Sequence, residues 1–320
     1  MTLVRRHLFV ILLGSCGLVH SAPISLLRPG DKPSFEIQYD GTDKPLAKWE
    51  NGYILALDNQ PVNAPPISVF GPTGSQVFAT YLAIDGFVKV SLRDVAASSS
   101  GVFAVSGGAL DASGLAVSFI VYLDKKGTIT KVVRLEDFVA MRLCFDAENR
   151  LWVAGRARDT SQSSVDHDMV RVYDERGLLQ RSFLSRTLFA TKVHPAKGFP
   201  YLVANGKYVV LFSSNTGYVV VMSRAGDVVA IKLVPLPAQT LVSGLAVSET
   251  LDIVISAHET SDGKARGIFY ALALDTSKWS EIYSREPSGD QYNQVFGFSG
   301  ESLLVGSYHP IPRFSWVRIR

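Results

Sequence analysis

The side chains best suited to chemistry are four histidines, His167, His194, His258 and His309, that follow the N-terminal segment. His167 stands between Asp166 and Asp168, and His258 and His309 follow two similar apolar segments at the same distance. Imidazole and carboxylate groups converging from separate loops would make ligands for a divalent metal, so His167, His258 and His309 are the candidate metal set. The plain alternative is loop histidines bonded locally. Spacing does not decide between them, because the chain has no HExxH or comparable cluster. A second constellation is basic. Lys44, Arg93 and Arg142 stand seven residues before the starts of three similar segments, and Lys192 leads into the corresponding run of a fourth. Pointing along a common axis, these four would form an anion-binding arc for a carboxylate, phosphate or sulfate. Pointing outward, they would merely reach solvent at strand ends. No catalytic residue can be named: nucleophile elbow, phosphate loop and paired cysteine cluster are all missing from the sequence. Asp94, Asp146 and Asn293 are the few further metal-type donors on the runs read as inner strands, and Asp146 reads better as a turn residue. Cys144, inside Leu143-Cys144-Phe145, reads as a buried small hydrophobe.

The elements that must position these residues repeat. Asn51–Leu57, Ser100–Ser106, Asn149–Gly155, Gly206–Phe212, Thr250–Ser256 and Glu301–Ser307 are near copies, with starts 49, 49, 57, 44 and 51 residues apart. A unit this small cannot bury its apolar faces alone and must stack on its neighbours. A second landmark follows each of the first five copies: tight turns ending at Gly74, Gly127, Gly177, Gly226 and Lys278. Asp or Ser opens most of them and Gly closes four, which is hairpin chemistry. Four strands per repeat of about 50 residues is the composition of a propeller blade. The expected fold is all-β, a six-bladed β-propeller with four-stranded blades at 43–83, 87–135, 138–186, 189–236, 240–285 and 290–320. The last repeat lacks room for a fourth strand, so Phe35–Tyr39 is expected to pair beside Phe314–Ile319 and close the ring. The stretch His194–Gly206, rich in Pro and Gly, reads as a loop. The connections between second and third strands, such as Gly107–Ser113 and His258–Arg266, read as long and varied, and place a loop-rich face on one side of the ring.

The N-terminus reads as an export signal, residues 1–21, with a basic Arg5-Arg6-His7, an apolar Leu8–Leu13 and small residues before Ala22. Residues 22–34 read as a leader and 35–320 as the propeller. The alternative is a bacterial lipobox, Leu13-Gly14-Ser15-Cys16, that would tether the chain by lipid on Cys16. Either places the protein outside the cytoplasm, secreted or periplasmic. The apolar stretch is too short to span a bilayer. The formal charge of +3 loses Arg5 and Arg6 on cleavage, leaving about +1, which gives no general attraction to nucleic acid. Only Cys144 would remain, so no internal disulfide closes the fold.

Leu143-Cys144-Phe145-Asp146-Ala147-Glu148-Asn149-Arg150-Leu151-Trp152-Val153-Ala154-Gly155, followed by Val170-Arg171-Val172-Tyr173 and the Asp174–Gly177 turn, resembles an NHL-type repeat. The likeness extends loosely over residues 43–320 and implies a secreted bacterial NHL-like propeller. Propellers similar to this type mostly bind proteins, glycans or nucleic acids, and other six-bladed folds like them are metal-dependent lactonases or lyases. Fold therefore leaves function open. The preferred expectation is a monomeric, non-catalytic binding or scaffold protein that needs no cofactor and recognises a protein or glycan through its loop-rich face. The alternative is a hydrolase or lyase with a divalent metal at the channel mouth.

Overall fold

The structure is a computed structural model and describes residues 24–25, 27–30, 32–37, 46–57, 67–158, 167–189, 200–214, 216–236, 240–261, 264–273, 278–285, 293–307 and 313–319. Six antiparallel sheets follow one another along the chain. Blade 1 comprises Leu46–Glu50, Tyr53–Leu57, Ile67–Phe70 and Gln76–Thr80; blade 2 Phe87–Ala97, Phe103–Asp111, Ala116–Leu123 and Ile129–Leu135. Blade 3 comprises Phe138–Phe145, Leu151–Ala157, Asp168–Tyr173 and Leu179–Ser185; blade 4 Tyr201–Ala204, Tyr208–Ser213, Tyr218–Ser223 and Val228–Leu233. Blade 5 contains Leu241–Val247, Asp252–Ser261, Lys264–Ala273 and Lys278–Arg285, and blade 6 Gln294–Ser299, Ser302–Ser307 and Arg313–Ile319. The only helical element among the described residues is a 3-10 turn, Arg186–Phe189.

Each copied segment became the second strand of its blade, and its composition follows from where that strand lies. In Tyr53–Leu57, Leu55 and Leu57 face blade 2 while Ile54 and Ala56 face blade 6. In Ala116–Leu123, Phe119 and Val121 face blade 1 while Ile120 and Tyr122 face blade 3. A strand buried on both sides has no polar face, so it reads as an unbroken apolar run. Outer strands alternate instead, as in Ile129–Leu135, where every second residue is exposed. Six apolar cores result, one between each adjacent pair of blades, including blades 6 and 1. The outer hairpins use the expected turn chemistry: Asp124 Oδ1 accepts the Lys126 and Thr128 N–H groups at 2.8 and 2.9 Å, and Gly127 takes φ 78°.

The ring closes through an N-terminal arm. Phe35 pairs with Phe314 and Glu36 with Arg313, as the sequence implied, and the Phe35 and Phe314 rings stack with centroids 5.4 Å apart. The arm begins earlier than expected, however. Leu27–Pro29 pairs with Val317–Ile319, and Ile24–Ser25 adds to the outer edge of blade 5 against Tyr283 and Ser284. The segment read as a leader thus supplies strands, a role concealed by its Pro and polar residues, and Phe35–Glu36 of the expected closing strand is paired, its residues 38–39 lying outside the described ones. Ile37 is fully buried in the core between blades 6 and 1.

Three local expectations are corrected. Tyr201–Ala204, inside the stretch read as a loop, is the innermost strand of blade 4; a four-residue strand flanked by Pro200 and Asn205-Gly206 gives too short an apolar signal. Gly107–Ser113 and His258–Arg266 are largely paired strand rather than long loop, because strand pairing extends to Leu110 and Ala116 in blade 2 and to Ser261 and Lys264 in blade 5. The signal segment, 1–21, lies outside the described residues, and no helix among those described is long and apolar enough to cross a membrane.

Ile37→Ala should lower stability by about 2–5 kcal/mol, as for a large-to-small change in a tight core, measured by denaturant unfolding. Val229→Ala, on an exposed outer edge, should stay within about 0.5 kcal/mol.

Candidate functional site

The six innermost strands face the axis with one backbone edge each, and among the described residues no further strand pairs with that edge. Side chains bond that edge instead, and they do so between blades all the way round. Lys48 Nζ of blade 1 donates to Asp94 Oδ2 of blade 2 at 3.2 Å and to the Leu143 carbonyl of blade 3 at 2.6 Å. Asp94 Oδ2 also accepts the Leu143 N–H at 2.7 Å. Arg142 of blade 3 donates to the carbonyls of Arg93 and Pro200, at 3.0 and 2.7 Å, joining blade 2 to blade 4. The Tyr201 hydroxyl donates to the Val242 carbonyl at 3.3 Å, and Ser243 Oγ to the Asn293 carbonyl at 3.2 Å. Gln294 Nε2 completes the circuit on the Ala47 carbonyl at 3.4 Å, with Trp49 Nε1 donating to the Phe298 carbonyl at 3.0 Å.

Beside this ring lies a cavity of about 430 Å³. The turn between first and second strands contributes at least one wall residue from each blade, among them Gly52, Ser99, Ala147, Gly206, Glu249 and Gly300. The cavity is therefore an axial funnel on the tight-turn face, opposite the face carrying the second-to-third connections. Much of that loop-rich face, including 58–66, 159–166 and 308–312, lies outside the described residues. A smaller space of about 30 Å³, enough for a water molecule, continues inward between Lys48, Asp94, Arg142 and Tyr201.

Lys48 and Glu50 both line the funnel. Glu50 is about one tenth exposed and bridges three blades: Oε1 accepts the Phe145 N–H at 2.6 Å, Oε2 accepts the Ala97 N–H at 3.3 Å, and Lys48 Nζ stands 3.5 Å away. Burial pushes the pKa of the Glu50 carboxyl up to about 7, against the opposing pull of Lys48 and the Phe145 N–H. Burial disfavours the Lys48 charge, but Asp94 and then Glu50 outweigh it and raise its pKa. Cys144 borders the same funnel, and burial holds its thiol well above the ordinary range, which makes it inert.

The residues singled out from sequence are placed differently. Arg142 is 5% exposed, and its guanidinium is bonded to backbone carbonyls. Arg93 Nη1 donates to the Gly107 carbonyl at 2.8 Å. Lys44 and Lys192 lie outside the described residues, as do His194 and His309. Bulges near Arg93 and Met141 shift the inner strands of blades 2 and 3, while the described inner strand of blade 1 has none, so equal offsets in sequence do not mark equal positions on these strands. His258 lies within a strand, opposite Leu241, and His167 directly precedes the strand Asp168–Tyr173 with its carbonyl bonded to the Arg186 N–H. No group of three metal-ligating side chains gathers among the described residues. Asp146 is the turn residue the sequence suggested: it accepts the Glu148 and Arg150 N–H groups and the Trp152 indole N–H.

Sequence reasoning missed Lys48 and Glu50. A signal was present: in the other five blades the inner strand packs an apolar residue toward the following blade, Ala96, Cys144, Val203, Ala246 or Phe296. A lysine within an inner strand at an otherwise apolar position must have a partner.

The chain is thus a six-bladed β-propeller closed by its N-terminal arm. No protein-family model and no curated protein sequence matches it. Among solved structures it is similar to a protein described as an oxidoreductase (glucose dehydrogenase) from Thermus thermophilus, at 12% identity, covering 89% of this chain and 99% of that one with a TM-score of 0.50. A second glucose dehydrogenase gives 11% identity, 89% and 99% coverage and a TM-score of 0.49. The β-propeller domain of the trilobed protease from Pyrococcus furiosus, which has an open velcro topology, gives 12%, 68% and 64% coverage and 0.44. At such identities the Thermus likeness speaks for the fold alone.

Lys48→Met leaves the Asp94 carboxylate buried without its cation and should cost about 3–5 kcal/mol, read by thermal or denaturant unfolding. Glu50 has a folded-state pKa above its ordinary value, so the stability it contributes is fully present below about pH 4.5 and is lost as pH rises through about 7. Glu50→Gln should flatten that decline between pH 4.5 and 7.

Proposed function

We propose that this chain is a non-catalytic binding protein of the cell envelope or extracellular space that recognises a protein or glycan with one end of its ring. The observation that carries this reading is the employment of the axial polar groups. Lys48, Asp94, Arg142, Tyr201, Ser243 and Gln294 are bonded to backbone or to one another across blades, so they act as closure of the ring. A concave funnel of ligand-pocket size is left at one end, on a rigid scaffold. The export signal and the Cys16 lipobox support a location outside the cytoplasm, by cleavage before Ala22 or by lipid on Cys16.

Two measurements test the proposal. Metal analysis of the purified protein should find no stoichiometric metal, and the metal-free protein should bind its partner in a glycan array or cross-linking assay. Tightly held stoichiometric metal that is required for turnover of a lactone or glycoside would overturn it. The mass of the exported chain distinguishes the two processing routes, since diacylglycerol on Cys16 and an N-terminus at Ala22 exclude each other.

A further inference from the structure

We infer that the outer edge of blade 2 is a docking site for an extended segment of a protein partner, which adds as a further antiparallel strand beside Ile129–Leu135 and sets an acidic and an apolar side chain into the cleft between blades 1 and 2. The site lies on the rim, away from the funnel, and its failure would leave the reading above untouched.

The backbone is available there. Ile129–Leu135 is the last strand of its sheet, and among the described residues no strand pairs with its outward edge. A row of unpaired N–H and C=O groups is a template for another strand. The molecule already uses one such edge, because Ile24–Ser25 of its own arm adds antiparallel to the outer strand of blade 5. The charge of Lys131 is turned aside from any added strand on the cleft side, since its side chain packs toward blade 3, where a Cβ on Gly177 would stand 3.4 Å from its Cε.

Beside this edge lies a cleft of about 540 Å³, lined by the apolar Ile84, Phe87, Ile129 and Val132 and by Asp85 and Arg134. Val132 is 36% exposed, and Arg134 is exposed as well. The Arg134 guanidinium lies over the Phe87 ring, 4.7 Å from its centroid, and Gly86, at φ 76° in the turn that precedes Phe87, leaves room beside it. Among the described residues Arg134 has no ion pair and no hydrogen bond. Asp111 feels its charge, but the Asp111 Oδ1 is bonded to Ser113 and Leu115. The guanidinium is thus positioned by a ring with its N–H groups unused, which suits a carboxylate. With Asp85 counted the cleft is neutral, so the place of Arg134 decides which partner residue is acidic, and net charge does not choose the partner.

Register follows from the strand. Val132 and Arg134 are two residues apart, and both face the cleft. On an antiparallel neighbour the residue opposite Arg134 comes two before the residue opposite Val132. The recognised segment therefore reads, from its N-terminal side, as an acidic residue, any residue, and an apolar one.

The test uses the purified full chain and two pentapeptides with acetylated and amidated ends, Thr-Glu-Thr-Ile-Thr and Thr-Lys-Thr-Ile-Thr, together with the first of them N-methylated along its backbone. Binding is followed by calorimetry and through the amide resonances of Ile129–Leu135. The Glu peptide should shift those resonances and bind about tenfold tighter than the Lys peptide, and N-methylation should weaken it about tenfold. Arg134→Glu, at an exposed position where folding is not at stake, should reverse the preference between the two peptides. Val132→Asp should weaken the Glu peptide about fivefold. Absence of binding, equal binding of the two peptides, full affinity after N-methylation, or an unchanged preference in Arg134→Glu would overturn the inference. So would a dimer seen by sedimentation that Val132→Asp dissolves, because a second copy of the chain would then occupy the edge.

Discussion

The innermost strand of each blade has a hydrogen-bonding edge that no strand can cover, because the ring leaves only a narrow axis there. Unpaired backbone groups held away from water are costly, and the molecule meets this cost with long polar side chains that reach sideways to the next blade. Arg142 alone connects blade 3 to blades 2 and 4, and Lys48 reaches past blade 2 to blade 3. The same bonds that complete the strand edges fix each blade against its neighbours. Axial chemistry and ring geometry are one set of interactions, and this is why the residues that look most reactive are structural.

Around that axis the blades are held by apolar contact. Each core lies between blades rather than inside one, so no blade has a complete core of its own. Four of the six cores are built by consecutive stretches of chain, and the core between blades 5 and 6 adds Leu27 of the arm. The sixth needs Ile37, Ile54 and Phe70 from the beginning and Phe296, Leu304 and Phe314 from the end. The stacking of Phe35 on Phe314, the Lys32 ammonium over the Trp316 ring at 4.4 Å and the Gly30 N–H bonded to the Trp316 carbonyl all serve that junction.

How much was legible follows from the range of each signal. The second strands are buried on both faces and carry unbroken apolar runs, so their number and spacing revealed six blades. The outer hairpins carry Asp and Gly at fixed offsets, and they too could be read. Tyr201–Ala204 was too short to register, and the arm segments Ile24–Ser25 and Leu27–Pro29 pair with partners more than 250 residues away. The site was harder still. Lys48 and Glu50 gain their meaning from Asp94, Ala97, Leu143 and Phe145, contributed by two other blades, and bulges of one residue shift any alignment that would have matched them.

The arm that clasps blades 5 and 6 also imposes an order of assembly. The segment made first during synthesis is needed last: it cannot be seated until Arg313–Ile319 has been produced, whereas the junctions between earlier blades can form as the chain lengthens. Until then the exposed flanks of blades 1 and 6 are apolar surfaces waiting for each other, and joining them closes the longest loop of the ring.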